Sequence, residues 1–275
     1  MFVYKALFAA FILAATSVYA QSTVKLSGIV DQGFAIGNGG TAANPGGNGT
    51  NDKLQVKQAA SSRFVFQGTE DLGGGMAADF ILDARFTPDD GNVSSTFFSG
   101  RSLLSLKSAK YGSLYFGREY TPAFWVGLLT DPFMFEGVGQ LGLMKYAGFL
   151  DTAGVRTNNT VGYLSPRVEG LTIRLASSLG EDAVGTENGV ALEFNNGKAY
   201  ASVAYQKISG GPAPTSGNSI LNIGASYDLN EIKPMVYYAK IKTSNGSISS
   251  TSFSIGATAP LGLGRLKVAY GLIHS

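Results

Sequence analysis

The sequence predicts an all-β protein whose strands form a transmembrane, antiparallel, up-and-down β-barrel. Apolar residues take every second position in one segment after another, as in strands with one apolar and one polar face. The 275-residue chain contains 37 glycines, and charged residues make up only 15% of it, which suits many strands joined by many turns. The links between these segments alternate between short and long. In a meander, this alternation collects the short turns at one rim and the long loops at the other.

The first twenty residues predict a cleaved secretory signal peptide. Lys5 supplies the positive flank, residues 6–15 are apolar, and Val18-Tyr19-Ala20 precedes a cleavage site at Gln21. A membrane anchor helix is the alternative, but the apolar run is shorter than the span of about 20 residues that a helix needs. We therefore expect residues 21–275 to form the barrel domain.

About thirteen strands are predicted after the signal peptide. In chain order they cover residues 23–31, 62–71, 76–86, 100–108, 113–119, 158–165, 170–178, 188–196, 201–207, 220–228, 233–240, 252–259 and 265–273. The segment 76–86 shows the pattern most clearly, because Phe80 and Leu82 belong to an apolar row that alternates with Asp79, Asp83 and Arg85. In hydrocarbon every backbone amide and carbonyl needs a protein partner, so such a sheet must close on itself. The apolar row then faces lipid and the charged row faces a water-filled lumen.

Two further features fit a barrel in a membrane. Tyrosines recur near the predicted strand ends and predict an interfacial aromatic girdle. They are Tyr111, Tyr115, Tyr163, Tyr227 and Tyr270. The lumen-facing positions carry more cations than anions. The cations are Arg63, Arg85, Arg101, Lys107, Arg174, Arg265 and Lys267, and the anions are Asp79, Asp83 and Glu193. These charges either bias ion passage or form ion pairs between neighbouring strands, such as Asp83 with Arg101, and the two roles are compatible.

The residue inventory argues against several other functions. The chain has one histidine, His274, and no cysteine. It therefore lacks residues that the usual catalytic triads and the histidine or thiolate zinc sites require. The formal net charge of +2 is too small to indicate a nucleic-acid-binding protein. We expect no enzyme activity and no cofactor.

Three stretches resemble the general porins of β-proteobacteria, of the Neisseria and Burkholderia type. They are QSTVKLSGIVDQGF (residues 21–34), SSRFVFQGTEDLGGGMAADFILD (61–83) and GSLYFGREYTP (112–122). The resemblance implies a homotrimeric bacterial outer-membrane barrel of about sixteen strands that passes ions and small hydrophilic solutes. It also implies that the third external loop, here residues 121–155, folds into the lumen and narrows it.

The same resemblance implies a charged constriction. Asp131 and Glu136 of the inward loop would face arginines of the barrel wall, namely Arg63, Arg85, Arg101 and Arg156. Other charges of the lumen wall would be Asp79, Asp83, Lys107 and Arg174. This arrangement predicts a field across the pore and a weak to moderate preference for anions.

Two departures from the family pattern lead to separate expectations. The chain lacks a terminal aromatic residue after its thirteenth strand, which predicts a barrel that is incomplete at its C-terminus. Arg118 shares the outward parity of Leu114 and Phe116, and a charge at mid-bilayer would cost about 2–4 kcal/mol. We therefore expect either a β-bulge after Phe116 or a position at the membrane rim.

An alternative function is that of a structural or adhesive barrel with surface-exposed binding loops. The long 121–155 loop distinguishes the two functions, because an adhesive loop would display its residues. Its apolar residues, Phe124, Trp125, Phe133 and Phe135, favour burial inside the barrel and therefore favour a channel.

Overall fold

The computed structural model describes residues 22–36, 54–137, 155–180, 185–210, 216–243 and 249–274, and most of them belong to one antiparallel sheet. Its 13 strands are β1 (Thr23–Ile29), β4 (Arg63–Gly73), β5 (Met76–Arg85), β6 (Ser102–Ser108), β7 (Gly112–Tyr120), β8 (Arg156–Leu164), β9 (Leu171–Ser178), β10 (Thr186–Asn195), β11 (Ala199–Ser209), β12 (Ser219–Tyr227), β13 (Lys233–Lys242), β14 (Ser249–Leu261) and β15 (Gly264–His274). The short strands β2 (Gly33–Ala35) and β3 (Gln55–Lys57) pair separately, and one helix, α1, spans Pro122–Leu129.

Every strand of the main sheet pairs with the next one along the chain, apart from the short hairpin of β2 and β3 between β1 and β4. Each predicted strand overlaps one of the observed strands, so the predicted antiparallel meander is confirmed. The hairpin and α1 were not predicted. The predicted signal peptide lies outside the described residues.

The two faces of the sheet have opposite character to those of a water-soluble protein. Large aliphatic side chains stand on the outward face and are half exposed, including Leu104 (52%), Ile173 (45%) and Ile223 (47%). Small polar side chains such as Ser202 and Asn222 are buried on the other face. An extended apolar surface of this kind requires an apolar solvent.

The sheet curls so that its two ends approach the same short segment. Nζ of Lys267 in β15 lies 5.7 Å from the ring of Phe133, and Nη1 of Arg63 in β4 lies 3.0 Å from Oε1 of Glu136. In a flat sheet β4 and β15 would stand about 50 Å apart at the usual strand spacing. The backbone from Phe133 to Glu136 spans only about 10 Å. The two side-chain contacts are too short to bridge the rest of the distance that a flat sheet would require, so the sheet is curved. β1 and β15 are the edge strands and do not pair with each other within the described residues.

A β-bulge lies beside Arg118, but it belongs to β8 and not to β7, where it was expected after Phe116. Between the pairs Gly117–Thr160 and Glu119–Thr157, β8 advances by three residues and β7 by two, so Asn158 and Asn159 together stand opposite Arg118. Asn159 has a φ of 49°, in the left-handed region. Arg118 remains opposite Ser102 on the outward side. Nε of its guanidinium donates to the carbonyl of Ser99 (3.1 Å) and Nη1 donates to Oδ1 of Asn158 (2.6 Å), so these two nitrogens have protein partners.

One tyrosine of the predicted girdle is in the wrong place. Tyr115 is only 6% exposed and lies on the inner face, where its ring covers Gly162 of the next strand. The girdle was predicted only from how close each tyrosine is to a strand end. The alternation of faces along the strand, which places Tyr115 inside, was not considered. Tyr227 is exposed on the outward face at the end of β12, beside a short link, as a girdle requires, whereas the exposed Tyr270 stands near the middle of β15. Among the described residues, no helix has the length and apolar character needed to cross a bilayer.

Candidate functional site

The helix α1 begins and ends where the local sequence supplies capping groups. Oγ1 of Thr121 accepts a hydrogen bond from the amide of Phe124 (3.2 Å), and Pro122 occupies the first turn, where its missing amide costs nothing. At the other end, Oγ1 of Thr130 donates to the carbonyl of Val126 (2.7 Å). The Thr-Pro pair therefore converts the end of β7 into a helix within two residues.

The helix docks on an apolar area of the inner face. Its buried residues Ala123, Phe124 and Val126 pack within a cluster contributed by β10 to β13. The wall residues of this cluster are Ala191, Ala204, Ile208, Ile220, Tyr237, Ala239 and Ile241. Nδ2 of the buried Asn222 also donates to the carbonyl of Ala123 (2.8 Å). The first part of the 121–155 loop thus lies against the inner wall, and its residues 138–154 lie outside the described residues.

Close contact between the loop and the wall can be tested by cross-linking. A Cβ built on Gly224 would lie 2.8 Å from Oγ1 of Thr130, close to the Cβ–sulfur separation across a disulfide. We expect Thr130→Cys/Gly224→Cys to form a disulfide on refolding in air, because the native chain has no cysteine to compete. Thiol titration would measure it, with the two single variants as controls. Two free thiols in the folded double variant would contradict this position of the segment.

The two predicted acidic residues of the loop differ in their surroundings. Oε1 of Glu136 pairs with Nη1 of Arg63, as the predicted constriction requires. Asp131 is 2% exposed, and its carboxylate accepts the amides of Phe133 (3.1 Å) and Phe135 (3.0 Å). Its described contacts thus stabilise a turn of its own segment rather than face the wall arginines. Sequence parity could not show this, because an irregular loop has no fixed direction for its side chains.

Arg85 and Arg156 converge on one neutral oxygen atom. Nη2 of each guanidinium donates to Oη of Tyr120 at 2.8 Å, and Cζ of Arg156 lies 4.4 Å from the centre of the Tyr120 ring. Arg85 also approaches Oδ2 of Asp83 at 3.5 Å. Among the described residues, Arg156 has no carboxylate within ion-pair distance, and Nε of both arginines lacks an acceptor. We refer to Arg85 and Arg156 as the arginine pair.

Three further predicted wall cations form ion pairs across neighbouring strands, whereas Arg265 and Lys267 are in none of the ion pairs found among the described residues. Nε of Arg101 donates to Glu119 (2.8 Å), Nε of Arg174 donates to Glu193 (2.9 Å), and Lys107 pairs with Asp79. The wall ion pairs expected from the sequence are therefore present, but Arg101 pairs with Glu119 instead of the suggested Asp83.

Trp125 of α1 bridges two of these ion pairs. Its ring lies 5.9 Å from Cζ of Arg101 and 5.0 Å from Cζ of Arg174. Both distances are within the range of cation–π attraction. The helix thus holds an aromatic ring against two cations of the wall.

Sequence reasoning missed Glu119, Tyr120 and Trp125 as partners of the site. Glu119 could have been found, because it shares the inward parity of Tyr115. Tyr120 and Trp125 could not, because their contacts depend on the turn from β7 into α1. Within the described ranges no group of acidic, histidine or cysteine side chains could hold a metal ion.

The outward apolar face, the polar inner face and the charged segment packed inside define the wall of a membrane-spanning β-barrel channel. The chain belongs to the Gram-negative porin family, whose profile matches residues 6–275. It is therefore a non-enzymatic diffusion channel of the bacterial outer membrane, as its relatives and structural neighbours indicate.

Two curated relatives cover almost the whole chain. Outer membrane porin protein 32 of Delftia acidovorans is 34% identical over 98% of this chain and 79% of that protein. An outer membrane porin protein of Bordetella pertussis is 27% identical over 94% of this chain and 74% of that protein.

The fold is also similar to solved porin structures. An anion-selective porin from Comamonas acidovorans matches with a TM-score of 0.78 and 28% identity, over 92% of this chain and 79% of that one. Salmonella typhi OmpF, in complex with daunomycin, matches with a TM-score of 0.63 over 92% of this chain and 79% of that one. At 13% identity, the second match supports the fold alone.

Proposed function

We propose that the channel prefers anions and that the arginine pair is the main cause. The observation that carries this proposal is that two guanidinium groups share the neutral Oη of Tyr120, each at 2.8 Å. A passing anion can accept hydrogen bonds from both, whereas a cation is repelled by both. The anion-selective porin from Comamonas acidovorans, 28% identical to this chain, supports the same sign of selectivity.

The charge balance of the inner wall points in the same direction. The ion pairs Arg63–Glu136, Arg101–Glu119, Arg174–Glu193 and Lys107–Asp79 each contain one cation and one anion. Among the described residues, Asp83 is the one carboxylate within ion-pair distance of the arginine pair, at 3.5 Å from Arg85. The local excess is therefore positive, and at close range in a narrow, low-dielectric pore an excess charge counts for more than in bulk water.

We assign the constriction to Arg63, Arg85, Arg101 and Arg156 on the wall and Glu136 on the loop, with residues 121–155 as the narrowing segment. Asp79, Asp83, Lys107 and Arg174 line the adjoining wall. Glu136 stands on the loop and the arginines stand on the wall, which supports a field across the pore. Asp131, on the same loop, accepts backbone amides of its own segment.

The sign of selectivity is measured directly as a reversal potential. The full chain, refolded into planar bilayers under a potassium chloride gradient, is expected to give a potential that corresponds to chloride passing faster than potassium. A potential of the opposite sign would contradict the role given to the arginine pair.

Neutralising Glu119 is expected to strengthen the anion preference. The variant Glu119→Gln keeps an acceptor for Arg101 but removes the charge that balances it, so one further cation faces the pore. An unscreened unit charge about 8 Å from the ion path contributes about 0.5 kcal/mol in water, with opposite sign for the two ions. The difference between chloride and potassium is about 1 kcal/mol, so the chloride-to-potassium ratio should rise about fivefold. Glu231→Gln, in the short link between β12 and β13, is the matched control and should leave the ratio unchanged. A fall in the ratio for Glu119→Gln would argue against this charge balance.

We also propose that the protein is a homotrimer that passes small hydrophilic solutes. The resemblance to general porins supports this, and the exposed apolar residues Val24 and Leu26 of the edge strand β1 are available for contact with lipid or another subunit. Light scattering of the full chain in detergent would test the stoichiometry. A mass of one subunit would contradict the trimer without affecting the sign of selectivity.

A further inference from the structure

A polar cavity opens on the inner wall, between the level of the arginine pair and the rim of the short links. Its volume is about 570 Å³, which is within the range of cavities that hold small molecules. Side chains of β1 and of β4 to β9 form its lining. We refer to this space as the wall cavity. A solute that has passed the arginine pair from the side of the long links meets the wall cavity next.

The floor of the wall cavity is one row of polar side chains that crosses four strands. Thr69 of β4 pairs with Asp79 of β5, Asp79 pairs with Ser105 of β6, and Ser105 pairs with Tyr115 of β7. Three of these side chains end in a hydroxyl, and the fourth is a carboxylate. Because neighbouring strands are about 4.8 Å apart, the row offers a polar group at each such interval. This spacing is comparable with the width of a sugar ring.

Two atoms of this row have no hydrogen-bond partner among the described residues. They are Oη of Tyr115 and Oδ1 of Asp79, and both belong to residues that line the wall cavity. Tyr115 is only 6% exposed. A buried polar atom without a partner is costly, so in folded proteins a water molecule or a ligand usually supplies one. The row therefore has an acceptor and a donor ready for a bound molecule.

The charged side chains around the wall cavity are largely paired with one another. Lys107 pairs with Asp79, and Nε of Arg101 donates to Glu119 (2.8 Å). Lys25 lines the cavity and is in none of the ion pairs found among the described residues. A simple anion would meet repulsion from both carboxylates here, whereas a hydroxyl group can accept from the cation of an ion pair and donate to its anion. The wall cavity thus favours a solute with many hydroxyls over a simple anion.

We propose that the wall cavity binds a neutral, polyhydroxylated solute of monosaccharide size during its passage. The hydroxyls of Thr69, Ser105 and Tyr115 exchange hydrogen bonds with the hydroxyls of the solute, and Lys25 adds a further donor. This proposal rests on the passage of small hydrophilic solutes proposed above and adds a binding site to it. The arginine pair then acts on the charge of a solute, and the wall cavity acts on the number and spacing of its hydroxyls.

The proposal can be tested by adding glucose to planar bilayers that hold the full chain. Glucose is expected to reduce the ion current in a saturable way, because the bound sugar occupies part of the pore. The variant Thr69→Val/Tyr115→Phe removes two hydroxyls and keeps the shape of both side chains. Each lost hydrogen bond lowers the affinity about fivefold, so the half-saturating concentration of glucose should rise about 25-fold.

The inner face also provides a control with the same two chemical changes. Tyr200 and Thr258 are buried on the inner face and do not line the wall cavity. The variant Tyr200→Phe/Thr258→Val should therefore leave the half-saturating concentration unchanged. An equal shift in both double variants would overturn the proposal. The single variant Tyr115→Phe, with an expected shift of about fivefold, remains informative if the double variant misfolds.

Two further measurements separate binding from obstruction and from passage. Triethylene glycol is of similar size but lacks neighbouring hydroxyls, so its effect on the current should rise in proportion to its concentration. A glucose effect that also fails to saturate would overturn the proposal. Swelling of liposomes that contain the full chain reports whether glucose enters. Entry without saturable block would overturn the binding site alone, whereas the absence of entry would also contradict the passage of small hydrophilic solutes.

Discussion

Replacing both members of the arginine pair with glutamine is expected to lower the chloride-to-potassium permeability ratio about 30-fold. Each guanidinium, about 8 Å from the ion path, contributes about 0.5 kcal/mol in a water-like dielectric, and it attracts chloride but repels potassium. Each charge therefore changes the free-energy difference between the two ions by about 1 kcal/mol, and two charges change it by about 2 kcal/mol, which is close to 30-fold in a ratio. The measurement is the reversal potential of Arg85→Gln/Arg156→Gln in a salt gradient.

Two controls separate charge from structure in this experiment. Arg85→Lys/Arg156→Lys keeps both charges but loses the planar donors that reach Tyr120, so its permeability ratio should remain close to that of the unmodified chain. Arg167→Gln removes an exposed arginine from the short link between β8 and β9 and should have no effect. An unchanged ratio in the glutamine variant would mean that the selectivity arises elsewhere in the pore.

Placing a polar side chain under α1 is expected to release the inner segment from the wall. Val126 is fully buried in the cluster that includes Ile220 and Tyr237. In Val126→Asn, an amide of similar size would lose its water in a largely apolar cluster, at a cost of about 1–3 kcal/mol. A cost at the upper end shifts the equilibrium toward the released segment by about 100-fold. Single-channel recording should then show larger and less uniform conductance steps, because the segment no longer holds a fixed position.

The same helix provides the matched control for this change. Leu129 lies one turn further along α1 and is 36% exposed, so Leu129→Asn leaves the docked surface intact. Its conductance should stay uniform and close to that of the unmodified chain. If both variants behaved alike, the packing of α1 would not determine the width of the pore.

Much of the fold could be predicted from the sequence because a barrel repeats one simple physical rule. Each strand divides its side chains between hydrocarbon and the interior, so the row of Phe80 and Leu82 identifies its strand without any knowledge of the neighbours. An irregularity beside Arg118 was predictable for the same reason, since a charge in the apolar row breaks the rule, but the sequence did not show that the extra residue belongs to β8. Tyr115 shows the limit of reasoning from position along a strand without attention to the face.

The site was harder to predict because its contacts depend on the loop. Periodicity placed Arg85 and Arg101 on the inner face, but it could not show that Arg85 and Arg156 meet at Tyr120 or that Arg101 pairs with Glu119. Asp131 illustrates the other difficulty. Its carboxylate binds amides two and four residues ahead, and only three-dimensional coordinates show that local hydrogen bonds occupy it.

The position of α1 against the inner wall also constrains the order in which the protein assembles. The hydrogen bond from Asn222 to Ala123 joins residues separated by 99 positions, and strands β10 to β13 all follow the helix in the chain. When the ribosome or the insertion machinery delivers α1, the surface that will receive it has not yet been delivered. Contacts between such distant residues form slowly. Docking of α1 is therefore a late folding event, and an assembly intermediate would contain paired strands around a passage that is still wider than the final one.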